Sequence, residues 1–101
     1  MFETLKIDVD ARGVATLTLN REAKHNALSA VMLAELTQAA ADLGDDDNVR
    51  VVVLTGTGKS FCAGGDLEWM REQMQADPET RAKEASKLAF MLQALNTMPK
   101  P

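Results

Sequence analysis

A chain of 101 residues can bury one small core and is too short for several. Its 46% hydrophobic and 26% charged residues are ordinary globular proportions, which excludes a disordered or fibrous chain, and a net charge of −4 argues against a nucleic-acid surface. No apolar run nears the roughly 20 residues that span a bilayer, and the start, MFETLKIDVD, lacks the basic-then-apolar plan of a secretory signal, so no membrane contact and a cytoplasmic compartment are expected.

Thr4 to Asp10 alternates, with Leu5, Ile7 and Val9 against Lys6, Asp8 and Asp10, and Val14 to Leu19 alternates again. This predicts a β-hairpin turning at Ala11 to Gly13. Beyond NREAKHN, Leu28, Val31, Met32, Leu36, Ala39, Ala40 and Leu43 fall at helical spacing, with Asn26 or Ser29 as N-cap and Gly44 just past the end. The acidic run Asp45 to Asp47 reads as a solvated loop. Val49 to Leu54 is an almost continuous β-branched run, which predicts a strand covered on both faces. Strand, helix and strand in this order imply a right-handed crossover and a parallel pair.

LEWMREQM, after Asp66, predicts a short helix. ADPETRAKEASKLAFMLQALNTM predicts a long one, with Asp77 as N-cap, Pro78 at the first position and Glu79 in the positive first turn. Ala85, Leu88, Ala89, Met91, Leu92, Leu95 and Met98 form one stripe, read as core together with Met70 and Met74, or partly as the lining of an apolar ligand pocket or subunit contact. Pro99 and Pro101 end the helix and point to a following extended element, so the 101 residues are expected to be the N-terminal portion of a single longer domain. The lone Cys62 has no partner for a disulfide or a zinc site and reads as a small buried apolar residue; no metal is expected.

Two turns lie in VVVLTGTGKSFCAGGDLEWM, Val51 to Met70. Gly58, Lys59 and Ser60 match the end of a phosphate-binding loop, but its first glycine would have to stand where Val53 does, and FCAGG does not open a helix. A nucleoside triphosphatase is therefore set aside. In the second turn, Gly64 and Gly65 precede a helix that Asp66 can cap, so unpaired amides and the positive helix end converge where a ligand oxygen can approach the main chain. Such a turn can hold the oxygen of an enolate or tetrahedral adduct. On spacing alone, a plain helix entry with two glycines is an equal reading.

LTLNREAKHNAL (Leu17 to Leu28), VRVVVLTGTGKSFCAGGDL (Val49 to Leu67) and the ending MPKP together resemble the N-terminal portion of the enoyl-CoA hydratase/isomerase, or crotonase, superfamily, across essentially the whole chain. GGDLEWM and LNTMPKP look most like members acting on branched-chain acyl-CoAs, such as the methylglutaconyl-CoA hydratases. The resemblance implies an α/β, ββα spiral fold. It implies an acyl-CoA substrate whose thioester carbonyl is held by two backbone N–H groups, Gly65 matching the first, with Ala63 offering its carbonyl to the adenine. Gly64, Asp66 and Leu67 would complete the substrate-binding turn, and Lys24 and His25 would lie by the nucleotide end. Arg21, Lys24 and Lys59 could supply positive charge for CoA phosphates, or the two lysines could be ordinary solvated ones. His25 is not expected to act as a base.

The resemblance also implies no cofactor beyond the CoA carried by the substrate, and a homotrimer or hexamer. The family's carboxylates and second oxyanion-hole glycine lie beyond the equivalent of Pro101. Glu68, Glu72 and Glu84 match no catalytic position, so residues 1–101 alone are expected to be inactive, and the strand Val49 to Leu54 is expected to expose an unpaired edge unless something covers it. The competing expectation is a non-catalytic CoA- or protein-binding module built on half the fold.

Overall fold

The computed structural model describes residues 2–101. Its elements are β1 (Leu5–Val9), β2 (Val14–Leu19), a single 3-10 turn (Glu22–Lys24), α1 (Ala30–Asp45), β3 (Val51–Gly56), α2 (Leu67–Gln75) and α3 (Pro78–Thr97). This is the α/β order expected from the sequence.

The alternation of β1 and β2 becomes an antiparallel pair in which Leu5 faces Leu19 and Val9 faces Ala15. At the turn, Asp10 accepts from the amides of Arg12 and Val14. β3 joins β2 in parallel, Val14 opposite Val51 and Leu19 opposite Gly56, giving a sheet ordered β1-β2-β3. α1 makes the crossover and lays Met32, Leu33, Leu36, Ala39 and Leu43 against Leu5, Ala15, Leu17 and Leu19 of the sheet. Glu35 of α1 ties down the start of β1 by accepting from the amides of Glu3 and Thr4. α3 packs across α1 and contributes Met91 to the core.

Helix ends follow local chemistry. Ser29, Asp66 and Asp77 cap α1, α2 and α3 by accepting from Met32, Trp69 and Thr80. Asn26 caps nothing. Gly44 lies inside the last turn of α1 rather than past it, and the segment after α3 crosses it closely: a Cβ there would stand 3.4 Å from Met98 and 3.5 Å from Pro99. Lys100 then donates to the carbonyls of Leu43 and Asp46 and closes that end of the helix.

Three expectations of burial change. β3 is not covered on both faces, since Val53 and Leu54 are exposed. On its outer edge the Val52 amide donates to the Pro101 carbonyl. Of the α3 stripe only Met91 is buried, with Leu88, Leu95 and Met98 half-buried against the core, while Ala85, Ala89 and Leu92 are open, as are Met70 and Met74 on α2 and Val31 on α1. The open faces of β3 and of the helices have one cause. Helical or strand spacing aligns apolar residues on a face, but residues 2–101 provide only enough packed layers to cover part of each face. Cys62 is half-buried against the core, short of the full burial expected.

Candidate functional site

Asn26 is the residue around which the two turns are built. It is fully buried, adopts a left-handed backbone (φ 57°), and uses its whole side chain. Oδ1 accepts from the Arg21 amide at 2.7 Å; Nδ2 donates to the carbonyls of Thr57 at 3.0 Å and Ser60 at 2.9 Å. The loop 20–28 thereby holds the loop 57–60 by its main chain. Short polar side chains that tolerate left-handed φ suit such a position, which is a signal for Asn26 that helix-cap reasoning misread.

Gly56 and Gly58 belong to this packing. A Cβ on Gly56 would meet the Phe61 carbonyl at 2.5 Å, and Gly58 has φ 74° beneath Glu22. The first turn is thus tied to Asn26 instead of opening a helix, and its amides have no helical dipole behind them. His25, Glu22, Thr57, Lys59 and Ser60 line a shallow hollow there. Lys24, His25 and Lys59 are all exposed.

The second turn is held from the same loop. Leu28 pairs with Gly65 in a parallel bridge: the Leu28 amide donates to Gly64 and the Asp66 amide donates to Leu28. The Ala63 amide donates to His25. In this bridge the Gly65 N–H points away from Leu28, and it makes no hydrogen bond among the described residues; the Ala63 carbonyl likewise accepts none. Gly64 needs its φ of 103° and has open space where a Cβ would be, while Gly65 has Met70 beside it at 3.3 Å. A free donor at a helix N-terminus can receive an anionic oxygen.

Asp66 is placed differently from a ligand-binding carboxylate. It is buried; Oδ1 caps Trp69 at 3.0 Å, and Oδ2 receives Arg21 at 3.1 Å. The Trp69 amide lowers its pKa most, Arg21 lowers it further, and burial opposes both. Arg21 in turn donates to the Ala27 carbonyl and is largely buried, so it is not a free cation for phosphate binding. The two residues satisfy each other's charge where the loop 20–28 meets the second turn. Leu67, by contrast, is 76% exposed beside the turn.

Glu68 and Glu72, with Arg21, Ser29, Asp66 and Trp69, line a hollow on the α1–α2 side. Glu84 pairs with Lys87 at 3.0 Å on α3. Among the described residues no group of three or more His, Cys, Asp or Glu could hold a metal, and no helix is long and apolar enough to cross a membrane.

Residues 10–101 match the family model described as Enoyl-CoA hydratase/isomerase. A curated Arabidopsis thaliana protein named "Probable enoyl-CoA hydratase 1, peroxisomal" is 35% identical over 79 residues, 75% of this chain and 30% of that one. The 4-chlorobenzoyl coenzyme A dehalogenase-2 of an Arthrobacter species is 52% identical over 56 residues, 55% of this chain and 20% of its own. Among solved structures, an enoyl-CoA hydratase from Shewanella pealeana superposes with a TM-score of 0.95 at 35% identity, covering 99% of this chain and 37% of that one. The chain spans about a third of the length of the first-ranked curated relatives it matches, between 30% and 38%.

Proposed function

Because the chain belongs to the enoyl-CoA hydratase/isomerase family, we propose that it supplies the CoA-binding face and one oxyanion donor of an enzyme that adds water across a 2-enoyl-CoA. The observation that carries this reading is the unpartnered Gly65 amide at the start of α2, held in place by the bridge to Leu28. In the reaction, the thioester oxygen accepts from that N–H. Electron density then shifts from the alkene toward the carbonyl as the water oxygen bonds to the β-carbon and gives up a proton, and the α-carbon of the resulting enolate-like intermediate takes up a proton in its place. A donor of this type is worth about 3–4 kcal/mol in the transition state.

The Ala63 carbonyl is assigned to the adenine amino group, and Lys24, His25 and Lys59 to the nucleotide end. Gly64 and Leu67 border the acyl thioester, and Asp66 holds the turn from behind. No carboxylate in residues 1–101 is assigned as general acid or base, and these residues taken alone are inactive in this reading. No cofactor is invoked, since CoA arrives with the substrate. Preference for branched acyl groups, assembly as a trimer or hexamer, and a cytoplasmic location belong to the same proposal; the Arabidopsis relative is named as peroxisomal.

The test is to titrate CoA into the full-length protein and into residues 1–101, and to follow hydration of crotonyl-CoA and branched enoyl-CoAs by loss of the conjugated thioester absorbance. Turnover by the full-length protein and CoA binding without turnover by residues 1–101 are expected. CoA binding without turnover by the full-length protein would favour a binding module, and absence of CoA binding by either would overturn the proposal.

A further inference from the structure

Arg21 and Asp66 form the best-buried ion pair among the described residues: the side chains are 20% and 10% exposed, whereas in every other pair at least one partner is more than 60% exposed. The pair spans the same two segments that the Leu28–Gly65 bridge joins. Arg21 reaches from the loop 20–28 to Asp66 while also donating to Ala27; the Asp66 amide donates to Leu28, and the Leu28 amide to Gly64. Gly65 therefore lies between two main-chain bonds whose far side is closed by a charge-assisted bond from a planar guanidinium, a donor suited to fixing both direction and distance. Glycine at positions 64 and 65 leaves the turn without side-chain packing of its own except for Met70 against Gly65. Its geometry must be imposed from outside.

We infer that Arg21 is a positioning residue for the reaction, acting through Asp66 to hold the Gly65 amide at the angle the substrate oxygen requires. This rests on the oxyanion reading of Gly65. A donor displaced by about 1 Å loses roughly 10²-fold in rate even when binding is retained. The expected defect is therefore in kcat, with CoA affinity little changed, because the groups assigned to the nucleotide end do not contact Arg21's guanidinium.

The experiment compares Arg21→Gln, Arg21→Lys and Asp66→Asn with the wild-type full-length protein. Asp66→Asn keeps one oxygen for the N-cap to Trp69 and replaces the oxygen that accepts from Arg21 with an NH2 donor, so it removes the charge and the bond from Arg21 together. Three quantities are read: kcat on crotonyl-CoA, Kd for CoA, and the shift to longer wavelength of a conjugated dienoyl-CoA on binding, which reports hydrogen bonding to the thioester oxygen. Arg21→Gln and Asp66→Asn are expected to lower kcat about 10- to 100-fold and to diminish the spectral shift, with Kd within about twofold; Arg21→Lys recovers part of both. Unchanged kcat and spectral shift would overturn the inference, as would a kcat loss matched by an equal loss of CoA affinity. Amide hydrogen exchange in the unliganded protein separates this from the reading beneath it. Arg21→Gln is expected to reduce protection at Leu28 and Asp66, and unaltered protection there overturns the positioning role even if Gly65 is the donor. A wild-type protein that binds dienoyl-CoA without a spectral shift overturns the reading of Gly65 itself.

Discussion

The side-chain amide of Asn26 donates to the main-chain carbonyl of Ser60, 34 residues later, at 2.9 Å. The loops 20–28 and 57–60 are joined through this residue, which also binds Thr57 and the Arg21 amide. Asn26→Ala leaves buried main-chain groups unpaired and puts a Cβ residue with no local hydrogen bond at φ 57°. A loss of about 3 kcal/mol in urea unfolding is expected, of which Asn26→Gly restores about 1 kcal/mol by relieving the backbone.

Gly56 and Gly58, two residues apart, should respond unequally to alanine. At Gly56 the new Cβ meets the Phe61 carbonyl at 2.5 Å and the Phe61 Cα at 3.0 Å, both main chain and unable to swing away. At Gly58 the obstacle is the exposed Glu22 side chain, which can move, so the strain of φ 74° is the main cost. Unfolding measurements should give about 3 kcal/mol for Gly56→Ala and about 1 kcal/mol for Gly58→Ala.

The depressed pKa of Asp66, owed first to the Trp69 amide and then to Arg21, fixes a direction for acid sensitivity. A carboxyl whose folded pKa lies below its unfolded value stabilises the fold above the unfolded pKa and loses that contribution as pH falls through the folded one. Wild-type stability should fall as pH drops below about 4, and Asp66→Asn should flatten that part of the profile while leaving the slope from Glu35, whose pKa is also lowered, against burial, by Thr4 and neighbouring amides. An identical acid limb in both proteins would contradict the assignment.

For CoA binding, Lys59 is the exposed cation that lines the hollow by His25, with Glu22 opposing it. In the full-length protein Lys59→Glu should raise Kd for CoA about tenfold at low ionic strength, and by less at 0.5 M salt, because exposed charges are screened within a Debye length of a few ångströms there. Isothermal titration at two salt concentrations checks it. A salt-independent effect would point to altered loop packing in place of phosphate attraction.

What the sequence determined by itself was what is set within a few residues of chain: the alternation of β1 and β2, the helical spacing of α1, the caps Asp66 and Asp77, and the glycine turn before α2 whose surroundings resemble one family. These depend on dihedral preference and nearest-neighbour hydrogen bonds, which are written locally. What only the tertiary structure decided was how distant groups satisfy one another. The ion pair of Arg21 and Asp66, 45 positions apart, is visible in no local pattern, and Asn26 looked like a possible cap until Thr57 and Ser60 came within its reach. The open faces of β3 and α3 were decided in the same way. An apolar stripe states which side of an element avoids water, but burial requires a second surface, and no local pattern specifies whether the chain brings one.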